Sequence, residues 1–308
     1  MSVHVVTGAG PVGTTVALQL AEAGEHVRVL TRSGSGPEHP LVERRRVDVS
    51  RSDRLGAALA GAVTVHHCIH ASAYAAAAWR AELPAAERTV LEAAGRVGAV
   101  VVFPESLYSY GRVTGPMTEE TPRDADFGKP AIRAELLGAR AASPTPTVSV
   151  AASDFFGPHV RGAHGGERLI PTVLAGRTMR VLGSADQPHS WTYVPDLAAA
   201  MIRAAATPAL HDTFLLAPTA PPLTQRELVA AVAKAGGVPV PKVGVIPAGL
   251  LRAIGTVHGA TREIAEMSYQ FTAAFVLDSS RSERLLGLAP TPVDDAMRAT
   301  VSWWAEQA

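Results

Sequence analysis

The sequence predicts an α/β protein: a doubly wound parallel sheet followed by a smaller C-terminal substrate-binding lobe. Three observations predict it. Strand-like and helix-like segments alternate through the first half of the chain, as they do where helices cover both faces of a parallel sheet. The strand-like segments are continuous apolar runs, the pattern of strands buried on both sides. The first of them opens into Thr7-Gly8-Ala9-Gly10-Pro11-Val12-Gly13, a glycine-rich turn set between a strand and a helix.

Taken in order, Val3–Thr7 is a short β-branched strand, and Thr14–Ala23 is an amphipathic helix with Val16, Ala17, Leu20 and Ala21 on its apolar face. Gly24 closes that helix, and Val27–Thr31 is the second strand. Val47–Val49 reads as a third strand, with a helix near Asp53–Ala60. Ala62–Cys68 and Ala99–Phe103 are the next two strands, with a long helix near Pro84–Val97 between them, and Thr147–Ala152 is the sixth. Beyond Phe155 the rhythm loosens and Pro and Gly become frequent. Helices at Val194–Ala206 and Gln225–Ala235 and a last one ending in Trp303 and Trp304 stand out, separated by turns at Pro218–Pro222 and Gly236–Pro241. Residues 1–154 are therefore expected to form a Rossmann domain and 155–308 a mixed lobe, with some exchange of chain between them.

Composition narrows the function. The 308 residues are 47% hydrophobic and 18% charged, enough for a sizeable core. Lys plus Arg equals Asp plus Glu at 28 each, so no net charge favours nucleic acid or an anionic membrane. One cysteine, Cys68, permits neither an internal disulfide nor a cysteine-rich zinc site, and fits a reducing cytoplasm. The chain enters a strand almost at once, and no apolar run approaches the roughly eighteen residues of a membrane span. A soluble cytoplasmic protein acting on a small molecule is the expectation. Two Ala-rich stretches, Ala85–Ala94 and Ile132–Ala142, suit either a homodimer interface or internal packing.

The glycine turn points to a dinucleotide. Gly8 permits the tight turn, Gly10 lets the backbone approach a pyrophosphate, and Gly13 allows close packing of helix on strand. Pro11 and Val12 open the helix, whose free amides favour phosphate. The second strand ends in Leu30-Thr31-Arg32-Ser33, with no carboxylate before Glu38. An acidic residue there would bond a ribose 2′-hydroxyl, whereas Arg32 can pair with a 2′-phosphate, so NADP(H) is expected over NAD(H). Asp48 is an adenine-edge contact or a helix cap. In His66-His67-Cys68-Ile69-His70, alternation puts three possible metal ligands on one strand face, but spread along a strand they converge poorly, and no metal is expected.

Four segments carry a family resemblance: Val6-Thr7-Gly8-Ala9-Gly10-Pro11-Val12-Gly13, Ser106-Leu107-Tyr108-Ser109-Tyr110-Gly111, Ser153-Asp154-Phe155-Phe156-Gly157-Pro158, and Trp191-Thr192-Tyr193-Val194-Pro195-Asp196-Leu197-Ala198. In order and spacing they resemble the extended short-chain dehydrogenase/reductases, the NAD(P)-dependent epimerases, dehydratases and their atypical relatives. The resemblance spans nearly the whole chain and implies hydride chemistry at a nicotinamide. It places His70 and Ala71 in a loop beside the cofactor, and Asp154 and Phe155 toward the nicotinamide. It makes Ser106, four residues before Tyr110-Gly111, the contact to the substrate oxygen, and puts His189 and Trp191 in the segment that closes over substrate.

The resemblance breaks at its catalytic centre. Where the family carries a Tyr-x-x-x-Lys pair, this chain has Phe127 and Ala131, neither of which exchanges a proton. The glycine turn is also one residue tighter than the family's common form. Tyr108 and Tyr110 are the substitute proton donors, with Glu105 as a further candidate. Lys129 and Arg133 lie two and six residues beyond Phe127, so neither replaces the lysine one turn on. Three readings follow: an NADP(H)-dependent oxidoreductase with relocated acid/base groups, a degenerate NADP(H)-sensing binding protein, and a non-redox isomerase or cyclase on the same fold.

Overall fold

A computed structural model describes residues 2–50 and 52–307. The chain begins β1 (Val3–Thr7), α1 (Pro11–Glu22), β2 (His26–Thr31), β3 (Val42–Arg46), α2 (Ser52–Ala58) and β4 (Ala62–His67). It continues through α3 (Ala76–Val97), β5 (Val100–Ser106), α4 (Gly128–Ala141), β6 (Thr147–Ala152), β7 (Asp154–Phe156), α5 (Ile170–Leu174), β8 (Met179–Leu182) and β9 (Trp191–Tyr193). The remainder is α6 (Val194–Ala205), β10 (Thr213–Leu216), α7 (Gln225–Ala235), β11 (Val243–Ile246), α8 (Ala248–Gly255), α9 (Gly259–Met267), α10 (Ser280–Leu286) and α11 (Val293–Ala305).

Among the described residues, seven strands form one parallel sheet in the order β3-β2-β1-β4-β5-β6-β10. Strand alternation sends Val6, Val102, Val148 and Val150 to one face, where they pack with Val16 of α1 and Leu197 and Met201 of α6. Val5, Leu30, Val65 and Val101 go to the other, against Leu55 of α2 and Leu91 of α3. The winding direction reverses between β1 and β4, which opens a crevice at the C-terminal ends of those strands. A separate core around Phe156, Ile170, Val181, Trp191, Leu228, Phe271 and Trp304 holds the C-terminal lobe together.

Two chain segments beyond Phe155 belong to the sheet layer. β10 pairs with β6 as the outer strand, and α6 lies against α1, with Gln19 Nε2 donating to the Pro195 carbonyl at 3.0 Å. Both are apolar enough to complete a buried face, so the exchange follows from packing. The third strand is Val42–Arg46, not Val47–Val49. As the other outer strand it needs no continuous apolar run, and Val-Glu-Arg-Arg-Arg leaves its charged side chains exposed or half-buried. Val47 and Val49 drop into the core under α2 instead.

The long helix begins at Ala76 and carries Pro84 in its interior. Trp79, Leu83, Glu87, Val90 and Ala94 are buried at helical spacing, so burying Trp79 and Leu83 extends the helix through the proline despite the lost backbone bond. The strands β7, β8, β9 and β11 and the α8–α9 hairpin carry no clear periodicity, being three to nine residues long. Among the described residues no helix is long and apolar enough to cross a membrane. Within the two Ala-rich stretches Val90, Leu91, Ala93, Ala94, Ile132 and Leu136 are buried, whereas Ala85, Ala139, Ala141 and Ala142 are exposed.

Candidate active site

The glycine turn sits where β1 meets the switch point. Gly8 has φ +89°, and a Cβ there would lie 2.8 Å from the Cys68 carbonyl oxygen at the end of β4. A Cβ on Gly13 would lie 2.2 Å from the Gly8 oxygen, so the turn is closed on itself. Gly10 is different: a Cβ there would meet nothing within 4 Å, and the residue is exposed. Pro11 starts α1 with no side-chain cap and no carboxylate in the first turn, while Val12 is buried in the core. Open backbone at Gly10 beside uncapped amides is a cradle that fits a pyrophosphate.

Arg32 is exposed at the C-terminal end of β2. Arg46, paired in register with Thr31, donates from Nε to the Arg32 carbonyl oxygen at 3.0 Å. Arg32 and Arg46 thus lie side by side at the C-terminal ends of β2 and β3; Arg46 escapes a sequence reading because it closes an unpredicted strand. Thr31 Oγ1 donates to the Ser35 carbonyl and Ser33 Oγ shares a bond with Ser35 Oγ, so these hydroxyls hold the loop. Asp48 Oδ1 accepts from the Ser50 amide and hydroxyl, at 3.1 and 2.7 Å, which makes it a turn former just ahead of α2. His70, exposed after β4, sets its ring edge against Trp79 at 4.7 Å, with Ala71 packed on the same cluster.

Neighbouring β5 delivers the hydroxyl groups. It ends at Ser106, and a short 3-10 turn over Leu107–Tyr110 follows. Ser106 Oγ donates to Glu105 Oε1 at 3.2 Å and accepts from the Tyr108 amide at 3.4 Å. Both bonds are long for their type, so the hydroxyl can turn to a ligand at little cost. Tyr108, half-buried, shares a 3.0 Å hydrogen bond with the Tyr74 hydroxyl and stacks on Trp79 with ring planes 6° apart. Burial, reinforced by Tyr74 and the Asp154 charge, pushes the Tyr108 phenol well above its usual range. Burial raises the Tyr74 phenol too. Tyr74 lies in an Ala-rich loop with no pattern to single it out in the sequence.

Tyr110 is turned away from this group. Its hydroxyl donates to the Thr118 carbonyl at 2.7 Å, its ring packs edge-on to Phe214, and burial pushes the phenol up to about 12. It is a strut under the turn, and the expectation of a second proton donor there is withdrawn. Glu105 is withdrawn as well: its buried carboxylate is shared by Arg140 at 2.8 Å and Arg133 at 3.4 Å, and it accepts from the Ser106 amide at 2.7 Å. Arg133 therefore serves Glu105 and the face of Trp79.

The helix that would carry the Tyr–Lys pair is α4, and Phe127 is its N-terminal cap residue. The Phe127 ring meets Tyr269 edge-on at 5.9 Å with the Arg112 guanidinium 5.1 Å over it. Lys129 is fully buried and donates to Glu263 Oε2 at 2.6 Å, with Glu266 Oε1 at 3.1 Å and the Tyr74 ring 4.8 Å away. The lysine ties α4 to α9 and backs Tyr74 with positive charge.

Opposite the phenols stands Asp154, half-buried at the start of β7, with Phe155 next to it. Asp154 Oδ2 lies 2.9 Å from His189 Nε2, while His189 Nδ1 lies 3.2 Å from the Gln270 carbonyl. Both His189 ring nitrogens thus face oxygen atoms, the Asp154 carboxylate on one side and a backbone carbonyl on the other. Burial opposes ionisation of Asp154, but the His189 hydrogen bond and charge outweigh it and hold the carboxyl below its usual range. His164, half-buried, packs on Phe271 near the pair, whereas His159 meets Trp303 edge-on and Arg161 lies over the Trp303 ring. Among the described residues no group of three His, Cys, Asp or Glu could hold a metal ion; His66 is buried and its nitrogens lack partners.

A parallel sheet wound 3-2-1-4-5-6, a glycine turn at its switch point and a hydroxyl cluster on the next strand define a dinucleotide-binding protein of the extended short-chain dehydrogenase type. The model of the NAD dependent epimerase/dehydratase family matches residues 4–215, and the chain belongs to that family. Solved structures share the fold. A UDP-glucose 4-epimerase from Thermotoga maritima, determined with UDP-glucose, superposes with a TM-score of 0.77 at 16% identity, covering 99% of each chain. A UDP-glucuronic acid 4-epimerase from Bacillus cereus, in complex with NAD, gives 0.76 at 17% identity and the same coverage. A dTDP-glucose 4,6-dehydratase double mutant from Streptomyces venezuelae, with NAD bound, gives 0.77 at 19% identity over 99% of this chain and 97% of that one. A comparison with curated protein sequences returns no match.

Proposed function

We propose that the protein is an NADP(H)-dependent reductase of small carbonyl or enone compounds, with Tyr108 as the proton donor. The observation that carries this reading is the Tyr108–Tyr74 hydroxyl pair beside Ser106, at the C-terminal end of the strand next to β4. A phenol held above its usual pKa is a poor base, because it does not ionise near neutral pH to take a proton from an alcohol. A phenol is still a stronger acid than an alcohol. It can therefore give its proton to the oxygen of a carbonyl whose carbon receives hydride from the reduced nicotinamide. Without a lysine to lower its pKa, the site favours reduction over oxidation. The exposed Tyr74 replaces the proton lost by Tyr108, and Ser106 orients the substrate oxygen.

Arg32 and Arg46 together support NADP(H) over NAD(H), although the Bacillus cereus and Streptomyces venezuelae neighbours were determined with NAD. A calorimetric titration with NADPH, NADP, NADH and NAD tests the cofactor. Arg32→Ala should weaken NADPH about tenfold or more and leave NADH unchanged, the loss expected for one charge-assisted phosphate contact. A carbonyl screen followed by NADPH absorbance tests the chemistry. Tyr108→Phe should lower kcat without changing the affinity for NADPH. Binding of NADPH with no turnover on any carbonyl would favour the sensor reading, and turnover that survives cofactor removal the isomerase reading.

A further inference from the structure

Beside the cleft lies a cavity of about 670 Å³ between the α8–α9 hairpin and the wall that carries Phe127. That volume suits one small organic molecule. Its body is aromatic, built from Phe127, Tyr269 and Phe275. Its polar side chains are dominated by Arg112, Arg252 and Arg262, all exposed. Helical spacing explains the grouping: Arg252, Gly255 and Thr256 share a face of α8 and the residue after it, and Arg262, Ala265 and Glu266 share a face of α9. A Cβ on Gly255 would lie 2.9 Å from Arg262 Cα, so that glycine lets the two helices close.

The charge of this cavity is unbalanced. Among the described residues none of the three arginines makes an ion pair. The carboxylate in the lining, Glu266, is taken by Lys129 Nζ at 3.1 Å and the Lys129 amide at 3.0 Å. Arg112 is held over the Phe127 and Tyr269 rings, at 5.1 and 5.9 Å, where its donors stay available. Phe275 links the cavity wall to the Asp154 side of the site, since its ring stacks on His189 at 5.6 Å and His189 bonds Asp154.

We propose that the cavity binds the substrate's distal end, and that the substrate is an organic carboxylate with a ring-like apolar body. This rests on the reductase reading and names its substrate class. A nucleotide-linked substrate would bring a ribose and a base with many polar edges, for which the aromatic walls offer few partners. Phe127 then has a positive role: the residue that replaces the family's phenol is a wall of an apolar site.

Isothermal titration with 2-naphthoate, 2-naphthamide and UDP-glucose tests the proposal. Saturable binding of 2-naphthoate is expected, with the amide at least about tenfold weaker, as befits a lost charge-assisted contact. Arg112→Gln and Arg262→Gln should each weaken the carboxylate about fivefold or more, with unfolding midpoints unchanged because both side chains are exposed. Equal affinity for acid and amide would overturn the proposal. So would tighter binding of UDP-glucose, or no saturable binding of naphthoate up to about 10 mM. Failure of the reductase reading shows separately, as absent NADPH binding or oxidation while the arginine-dependent carboxylate binding persists.

Discussion

Replacing Arg140 by methionine should destabilise the protein and loosen its active site together. Arg140 is 3% exposed and makes four side-chain hydrogen bonds: two to Glu87, at 2.8 and 2.6 Å, one to Glu105 at 2.8 Å and one to Ser149 at 3.0 Å. Methionine fills much of the volume but leaves Glu87 and Glu105 buried and short of a counter-charge. Removing one partner of such a cluster costs about 3–5 kcal/mol, against a typical total stability of about 5–15 kcal/mol. Burial raises the Glu87 carboxyl, but the Arg140 charge and hydrogen bonds outweigh it and hold the group below its usual range. That contribution is present above the carboxylate range and fades as pH falls through it. In the variant burial acts unopposed by Arg140, so its penalty should be largest near pH 8 and shrink toward pH 5. Urea denaturation followed by tryptophan fluorescence measures it, and Arg140→Met/Glu87→Leu should recover at least about 1 kcal/mol by removing a stranded charge. Glu105 also accepts from the Ser106 amide, so the turnover proposed above should fall although no substrate contact is lost. A penalty under about 1 kcal/mol, or one flat with pH, would refute the reasoning, because a buried counter-charge cannot be removed so cheaply.

Other expectations follow from the same geometry. Gly10→Ala should leave stability unchanged or raise it by a few tenths of a kcal/mol, because its Cβ meets nothing within 4 Å, yet weaken NADPH binding at least about tenfold by calorimetry. Gly13→Ala should instead lower the thermal midpoint as well, since its Cβ would lie 2.2 Å from the Gly8 oxygen. Burial lowers His66 to about 3, and both its ring nitrogens lack partners. A His depressed in the folded state stabilises least in acid: the contribution is full above the ordinary imidazole range and is lost as pH falls from there toward 3. His66→Leu should therefore move acid unfolding to lower pH, as read by circular dichroism, and raise stability by about 1 kcal/mol or more at neutral pH. Lys129→Met should lower the unfolding midpoint by leaving Glu263 and Glu266 without their buried cation, with loss of turnover through Tyr74.

The sequence by itself determined the central strands of the sheet, because each is buried on both faces and reads as a largely apolar run, as Val100-Val101-Val102 does, while both outer strands escaped it. It also determined the glycine turn, since steric limits at Gly8 and Gly13 act over a few neighbouring atoms and leave a local signature. That Phe127 and Ala131 carry no side-chain proton to exchange is likewise a matter of side-chain chemistry alone. What the sequence left open is non-local. Tyr74 meets Tyr108 across 34 residues, Asp154 meets His189 across 35, and Lys129 meets Glu263 across 134. Tyr108 and Tyr110 looked alike in sequence, two positions apart, until the 3-10 turn sent one phenol to Tyr74 and the other to the Thr118 carbonyl. Local spacing fixes backbone conformation, because its forces are short-range. Only the packed chain decides which distant groups share a cleft, and with it which proton can move.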